Sequence, residues 1–108
     1  MHGHLHILSE EHLEPGNIAL GAIRDKDFID KFDFMFIDAS HSYENCLNDT
    51  ATAFQFVRQG GIITWHDYNG WPGVTKALNE ARHLYPATRF FWIHDTSIVV
   101  AMNNKYML

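Results

Sequence analysis

Two short stretches of this chain are apolar almost without a break, and both stop abruptly at ionisable residues. Phe32–Ile37 (FDFMFI) runs into Asp38 and, three residues on, His41, while Ile62–Trp65 (IITW) runs into His66 and Asp67. Runs of this kind predict strands buried on both faces within a parallel sheet. Between them, Tyr43, Cys46, Leu47, Phe54 and Val57 recur at helical spacing. That spacing predicts an amphipathic helix with Ser42 as its N-cap, running to about Arg58 and stopped by a Gly60–Gly61 turn. Asp67–Gly73 (DYNGWPG) reads as a loop, and Pro72 stands where a second helix can begin. Val74, Ala77, Leu78, Ala81 and Leu84 line one face of that helix up to Pro86. Arg89–Ile93 and Ser97–Met102 then predict a β-hairpin with a tight His94–Asp95–Thr96 connection. Ahead of Phe32 the pattern is weaker. His2–Leu8 is either a short strand, its HxHxH placing three imidazoles on one face where they could bind a metal, or a frayed, tag-like terminus. Ser9–Asn17, with Pro15–Gly16, reads as a loop, Ile18–Ile23 as a short strand, and Asp25–Lys31 as a short helix or turn.

The order is therefore strand, helix, strand, helix, hairpin, an α/β pattern without internal repeat or interdomain linker. In an open parallel sheet, ligands bind outside the carboxyl ends of the strands. Two neighbouring strands that both end in acid and imidazole aim their chemistry at one crevice. Asp38, His41, His66 and Asp67 are accordingly the candidate site, with Trp71 in the adjoining loop either a wall of it or a packing residue. Imidazole titrates near neutral pH, which suits His41 to accept a proton from a hydroxyl. Elsewhere the plainer readings hold. Cys46 and Trp65 belong to the core, Tyr43 to helix packing, Asp49 to the solvent side of its helix, and His83 and His94 to the surface.

Composition narrows the picture. At 108 residues, 46% hydrophobic and 14% aromatic, the chain is one globular domain at most, and small for a complete α/β enzyme. A formal charge of -5 with no Lys/Arg cluster argues against nucleic acid as a partner. The single Cys46 leaves no internal disulfide and fits a reducing cytoplasm. No apolar run approaches a membrane span and MHGHLH does not read as a signal peptide, so neither membrane nor export is expected.

FDFMFIDASHSYENCLND followed by GGIITWHDYNGWPGV resembles the class I S-adenosylmethionine-dependent methyltransferases, and within them the metal-dependent O-methyltransferases with D-x-x-H-S-Y and G-G-x-x-x-x-H-D segments. The resemblance covers about residues 18–102. It implies the C-terminal half of a Rossmann-like methyltransferase fold, βαβα closed by an antiparallel hairpin, with residues 1–17 as a poorly defined extension. It also implies a magnesium or manganese site at Asp38, His66 and Asp67, His41 in the place of the family's lysine base, and Trp71 against the substrate. Ile23, Arg24, Asp38 and Ala39 would touch S-adenosylmethionine, and the methyl acceptor would be a small-molecule hydroxyl. Two departures stand out. His66 replaces a carboxylate, which favours zinc, iron, nickel or manganese over magnesium, or frees His66 to line the substrate pocket beside an Asp38–Asp67 metal pair. The glycine-rich cofactor loop, and the acid that would hold the ribose, have no counterpart. Without that half the Phe32–Ile37 strand would sit on an open edge. The missing half, a second copy, or His2–Leu8 folded back would have to cover it. A non-catalytic metal-binding or oligomerising remnant of the fold is thus the alternative to an enzyme, with a non-haem-iron relative behind both.

Overall fold

The computed structural model describes residues 28–38 and 41–107, together with the backbone of two short strands, β1 (His4–Ile7) and β2 (Asn17–Ala19). The expected cofactor contacts Ile23, Arg24 and Ala39 lie outside the described residues, as do His2 and the side chains of His4 and His6. The remaining elements are β3 (Phe32–Asp38), α1 (Tyr43–Phe56), β4 (Val57–Trp65), α2 (Pro72–Leu84), β5 (Phe90–Trp92) and β6 (Val99–Met102). They form one mixed sheet in the order β2-β1-β3-β4-β6-β5. β3 and β4 are its parallel pair, joined through α1, and every other pairing is antiparallel. The edge of β3 is covered by β1, which runs back along it from His4 opposite Asp38 to Ile7 opposite Met35.

Both helices pack on one face of the sheet, and this corrects the expectation of strands buried on both sides. Met35, Ile37, Ile63 and Trp65 share a core with Cys46, Ala53, Phe54, Val74, Ala77 and Leu78. Phe34 and Phe36, which point away from the helices, are half-buried. A register shift between Phe32 and Phe34 lets Phe32 turn inward as well, where its ring stacks on Phe28 at 5.7 Å.

The helix that follows β3 begins as its sequence predicts. Ser42 caps it, accepting a hydrogen bond from the Asn45 backbone N–H at 3.2 Å. Its end is different. Gly60–Gly61 does not stop α1, which finishes at Phe56 and passes at once into a nine-residue β4 that contains both glycines. The last carbonyls of the helix are met from the far end of the chain. The Asn103 side-chain amide donates to Phe54 O (3.2 Å) and Val57 O (2.7 Å), and Lys105 Nζ donates to Phe54 O and to Gln55 O. The glycines serve the strand instead. Gly60 has φ +83°, and a Cβ on Gly61 would stand 2.4 Å from Val57 Cγ1 and 2.8 Å from the Asp33 carbonyl oxygen.

A second correction concerns Asp49. It is 5% exposed, on the buried face of α1 with Cys46 and Ala53, and not on the solvent side. Cys46 and Trp65 are core residues, and the Trp65 indole N–H donates to Thr50 Oγ1 at 2.9 Å. The hairpin is present but its connection is longer than expected, residues 93–98, with Ile93 N–H bonded to Ile98 O. His83 and His94 are exposed.

Candidate functional site

The parallel pairing of β3 with β4 builds the site. Ile37 lies beside Trp65 in the ladder, so the next residue on each strand, Asp38 and His66, emerges at the same level of the sheet. The His66 backbone N–H donates to Ile37 O at 3.2 Å, which holds the two strand ends together. Asp67 follows with φ +64°, a left-handed conformation that aspartate tolerates better than most residues. That turn sends the chain into the loop before α2. One ligand atom from each of Asp38, His66 and Asp67 lies within 4.8 Å of the others. Two carboxylates and an imidazole at this spacing make a donor set suited to a divalent cation.

His41 joins the same group from the start of α1. Its Nε2 is 2.9 Å from Asp67 Oδ2, while Asp67 Oδ1 is 3.1 Å from His66 Nδ1. Both oxygens of Asp67 therefore face an imidazole. A carboxylate can only accept, so the proton of a neutral His41 resides on Nε2 and the lone pair on Nδ1. The His41 ring lies flat on the Trp71 indole, with centroids 3.7 Å apart and planes 5° from parallel. Trp71 is itself 46% exposed and precedes the first turn of α2. It is both a packing partner of His41 and an open aromatic surface beside the site.

The loop carrying Asp67 and Trp71 is pinned at several points. The Tyr68 N–H donates to Ser97 O at 3.0 Å, and the Thr75 hydroxyl donates to Tyr68 O. Gly73 sets the distance between the two helix starts. A Cβ there would come within 2.4 Å of the His41 carbonyl oxygen and 2.8 Å of the Tyr43 nitrogen. The sequence reading missed this residue, although a glycine in the first turn of a helix, where almost any other side chain does better, was a usable signal. It also missed the contacts of Tyr43. That hydroxyl donates to the Glu80 carboxylate, Lys76 Nζ sits 4.3 Å above its ring, and the bond to Glu80 raises its pKa. Tyr43 is thus packed as expected and also fastens α1 to α2 just behind His41.

The structure brings together Asp38, His41, His66, Asp67 and Trp71. The family described as Methyltransferase domain matches residues 6–68, more than half the chain, from within β1 to the residue after Asp67. An uncharacterized protein of Acanthamoeba polyphaga mimivirus is 35% identical over 51 residues, which are 44% of this chain and 23% of that protein. The chain thus spans under a quarter of the curated relative it matches. No solved structure matches it. Because the family match takes in the parallel strand pair, the helix between them and all four converging acid and imidazole side chains, this chain belongs to the methyltransferase-domain family.

Proposed function

We propose that the chain carries the acceptor-activating part of an S-adenosylmethionine-dependent methyltransferase acting on a small-molecule hydroxyl with the help of a divalent cation. The observation that supports this reading most is the convergence of Asp38, His66 and Asp67 within 4.8 Å, with His41 bonded to the same Asp67. The donor set fits a cation such as manganese, which Asp38, His66 and Asp67 would hold, and whose chemistry there is to bind the acceptor oxygen and acidify its hydroxyl.

The residues described do not amount to a cradle for S-adenosylmethionine. Of the four residues that the resemblance assigns to it, Asp38 alone is described, and the sequence has no glycine-rich turn. What the chain's own side chains do is orient the acceptor and take its proton. Asp67 holds Nε2–H of His41 and the Trp71 indole fixes the plane of the ring, so that Nδ1 is left as the base. Trp71 also offers an apolar wall on which an aromatic or aliphatic acceptor can rest.

Manganese titration should show one saturable site. Loss of outer-shell partners alone weakens metal sites about 10–100-fold, so Asp38→Asn or Asp67→Asn should cost at least that much. With catechol as acceptor and S-adenosylhomocysteine release as readout, His41→Ala should lower turnover about 10²–10⁴-fold while manganese still binds. No saturable manganese binding would remove the cation from the reading. An unaltered pH–rate profile in His41→Ala would remove the base. A protein that binds manganese and releases no S-adenosylhomocysteine is the non-catalytic metal-binding module instead.

A further inference from the structure

On the far side of α2 from His41, a groove runs between the outer face of that helix and the edge strand β5. Its inner end, about 270 Å³, has Leu78 and Val99 as its floor and Tyr68, Phe90 and Trp92 as aromatic walls. It continues past Asn79 and Arg82 into an outer end of about 620 Å³, where Arg82 is joined by Arg89 and His83. Both volumes lie near or within the usual range for small-ligand sites. The walls are held in place. The Trp92 indole N–H donates to Thr96 O at 2.6 Å, and the Tyr68 hydroxyl donates to Asn79 Oδ1 at 3.2 Å. That second bond uses the Asn79 oxygen, and its amide nitrogen has no acceptor among the described residues.

The charges set this groove apart. The chain has a formal charge of -5, and among the described residues three of the other cations are engaged: Arg58 with Asp33, Lys105 with Asp30, and Lys76 over the Tyr43 ring. Arg82 and Arg89 have neither an acidic partner nor a backbone acceptor among the described residues, and no carboxylate lines either end of the groove. Two unpaired guanidinium groups beside aromatic faces favour one kind of occupant. The rings offer π surfaces to a flat apolar body, and the guanidinium forks offer paired donors to an oxyanion.

We propose that this groove is a binding site for a small planar aromatic molecule bearing a carboxylate or phosphate, separate from the crevice at Asp38 and Asp67. The aromatic body lies against Tyr68, Phe90 and Trp92, and the anion between Arg82 and Arg89. Because Tyr68 directly follows Asp67, an occupant of the groove rests against the loop that carries the crevice residues.

The test uses benzoate and phenyl phosphate as probes, with benzyl alcohol as the uncharged control. Binding is followed by NMR at the Arg82 and Arg89 Nε–H and Trp92 Nε1–H signals. One or both anions should shift these signals saturably, while benzyl alcohol and the Trp71 Nε1–H signal show no such change. Arg82→Gln and Arg89→Gln should each weaken binding about tenfold, as expected for loss of one charge-assisted hydrogen bond. Both side chains are exposed, so the variants should keep their spectral dispersion. Response to benzoate alone identifies a carboxylate site, to phenyl phosphate alone a phosphate site, and to both a general oxyanion site. No saturable shift with either anion, equal binding by the Arg82→Gln/Arg89→Gln double variant, or equal binding of benzyl alcohol would overturn the proposal.

Discussion

Replacing Asp49 by asparagine should make the protein less sensitive to rising pH. Asp49 is 5% exposed on the inner side of α1, and its Oδ2 is buried without a hydrogen-bond partner among the described residues. Burial disfavours the carboxylate and pushes its pKa from the usual 3.8 up to about 7. The folded value lies above the unfolded one, so the group's contribution to stability is complete below the unfolded value. It is lost as pH rises toward the folded value of about 7. A rise of that size corresponds to about 4 kcal/mol, and local relaxation and water penetration around the buried acid reduce the working figure to about 2 kcal/mol. Asparagine keeps the shape and cannot ionise. Between about pH 4 and pH 8, urea unfolding should therefore show the variant gaining about 2 kcal/mol on the parent, near 10 °C in Tm for a domain of this size. The neighbouring Cys46 thiol, pushed up to about 11 chiefly by burial, stays neutral over this range and does not confuse the reading. A free-energy difference that is flat with pH would refute the reasoning, because Asp49 would then ionise in the fold as it does in water.

Two other substitutions test the frame around the site. Gly73→Ala would ordinarily stabilise a helix by about 1 kcal/mol. Here the new Cβ meets the His41 carbonyl and the Tyr43 nitrogen, so calorimetry should show a loss of about 1–3 kcal/mol, and a gain would mean that the helix starts have room to part. Thr50→Val takes the acceptor from the buried Trp65 indole N–H and should cost about 1–3 kcal/mol by denaturant unfolding, whereas the same change in a Trp65→Phe background should cost much less.

The convergence of the candidate site residues was legible in the sequence because that information is local. An apolar run, an acid at its end and a helix of crossover length suffice to put Asp38 and His66 at neighbouring strand ends. What it left obscure depends on contacts made far along the chain. A glycine pair after a helix looks like a stop signal. Only the pairing of Gly60 and Gly61 with Asn103, and the nearness of Asp33, show that both belong inside β4. Asp49 was misread for a different reason. It lies about 60° around the helix from Cys46, at the border of the apolar arc, and a pattern drawn from large side chains gave no weight to Ala53, which widens the buried face toward it. The cover over β3 was one of three options in the sequence, since strand pairing is decided by competition among segments and not by any one of them.

That cover has a consequence for any larger assembly. A sheet edge can be hydrogen-bonded by one neighbour at a time, and along β3 the four residues of β1 already hold that place, from His4 opposite Asp38 to Ile7 opposite Met35. A strand from another polypeptide, or from a longer form of this one, could lie against the Met35–Asp38 stretch of β3 only by evicting β1, and β2 with it, since among the described strands β2 is attached to the sheet through β1. Completion of the fold would then be an exchange of partners and not a simple addition. Its rate would be governed by how often β1 peels away, and the backbone beside Asp38 would be the first to notice.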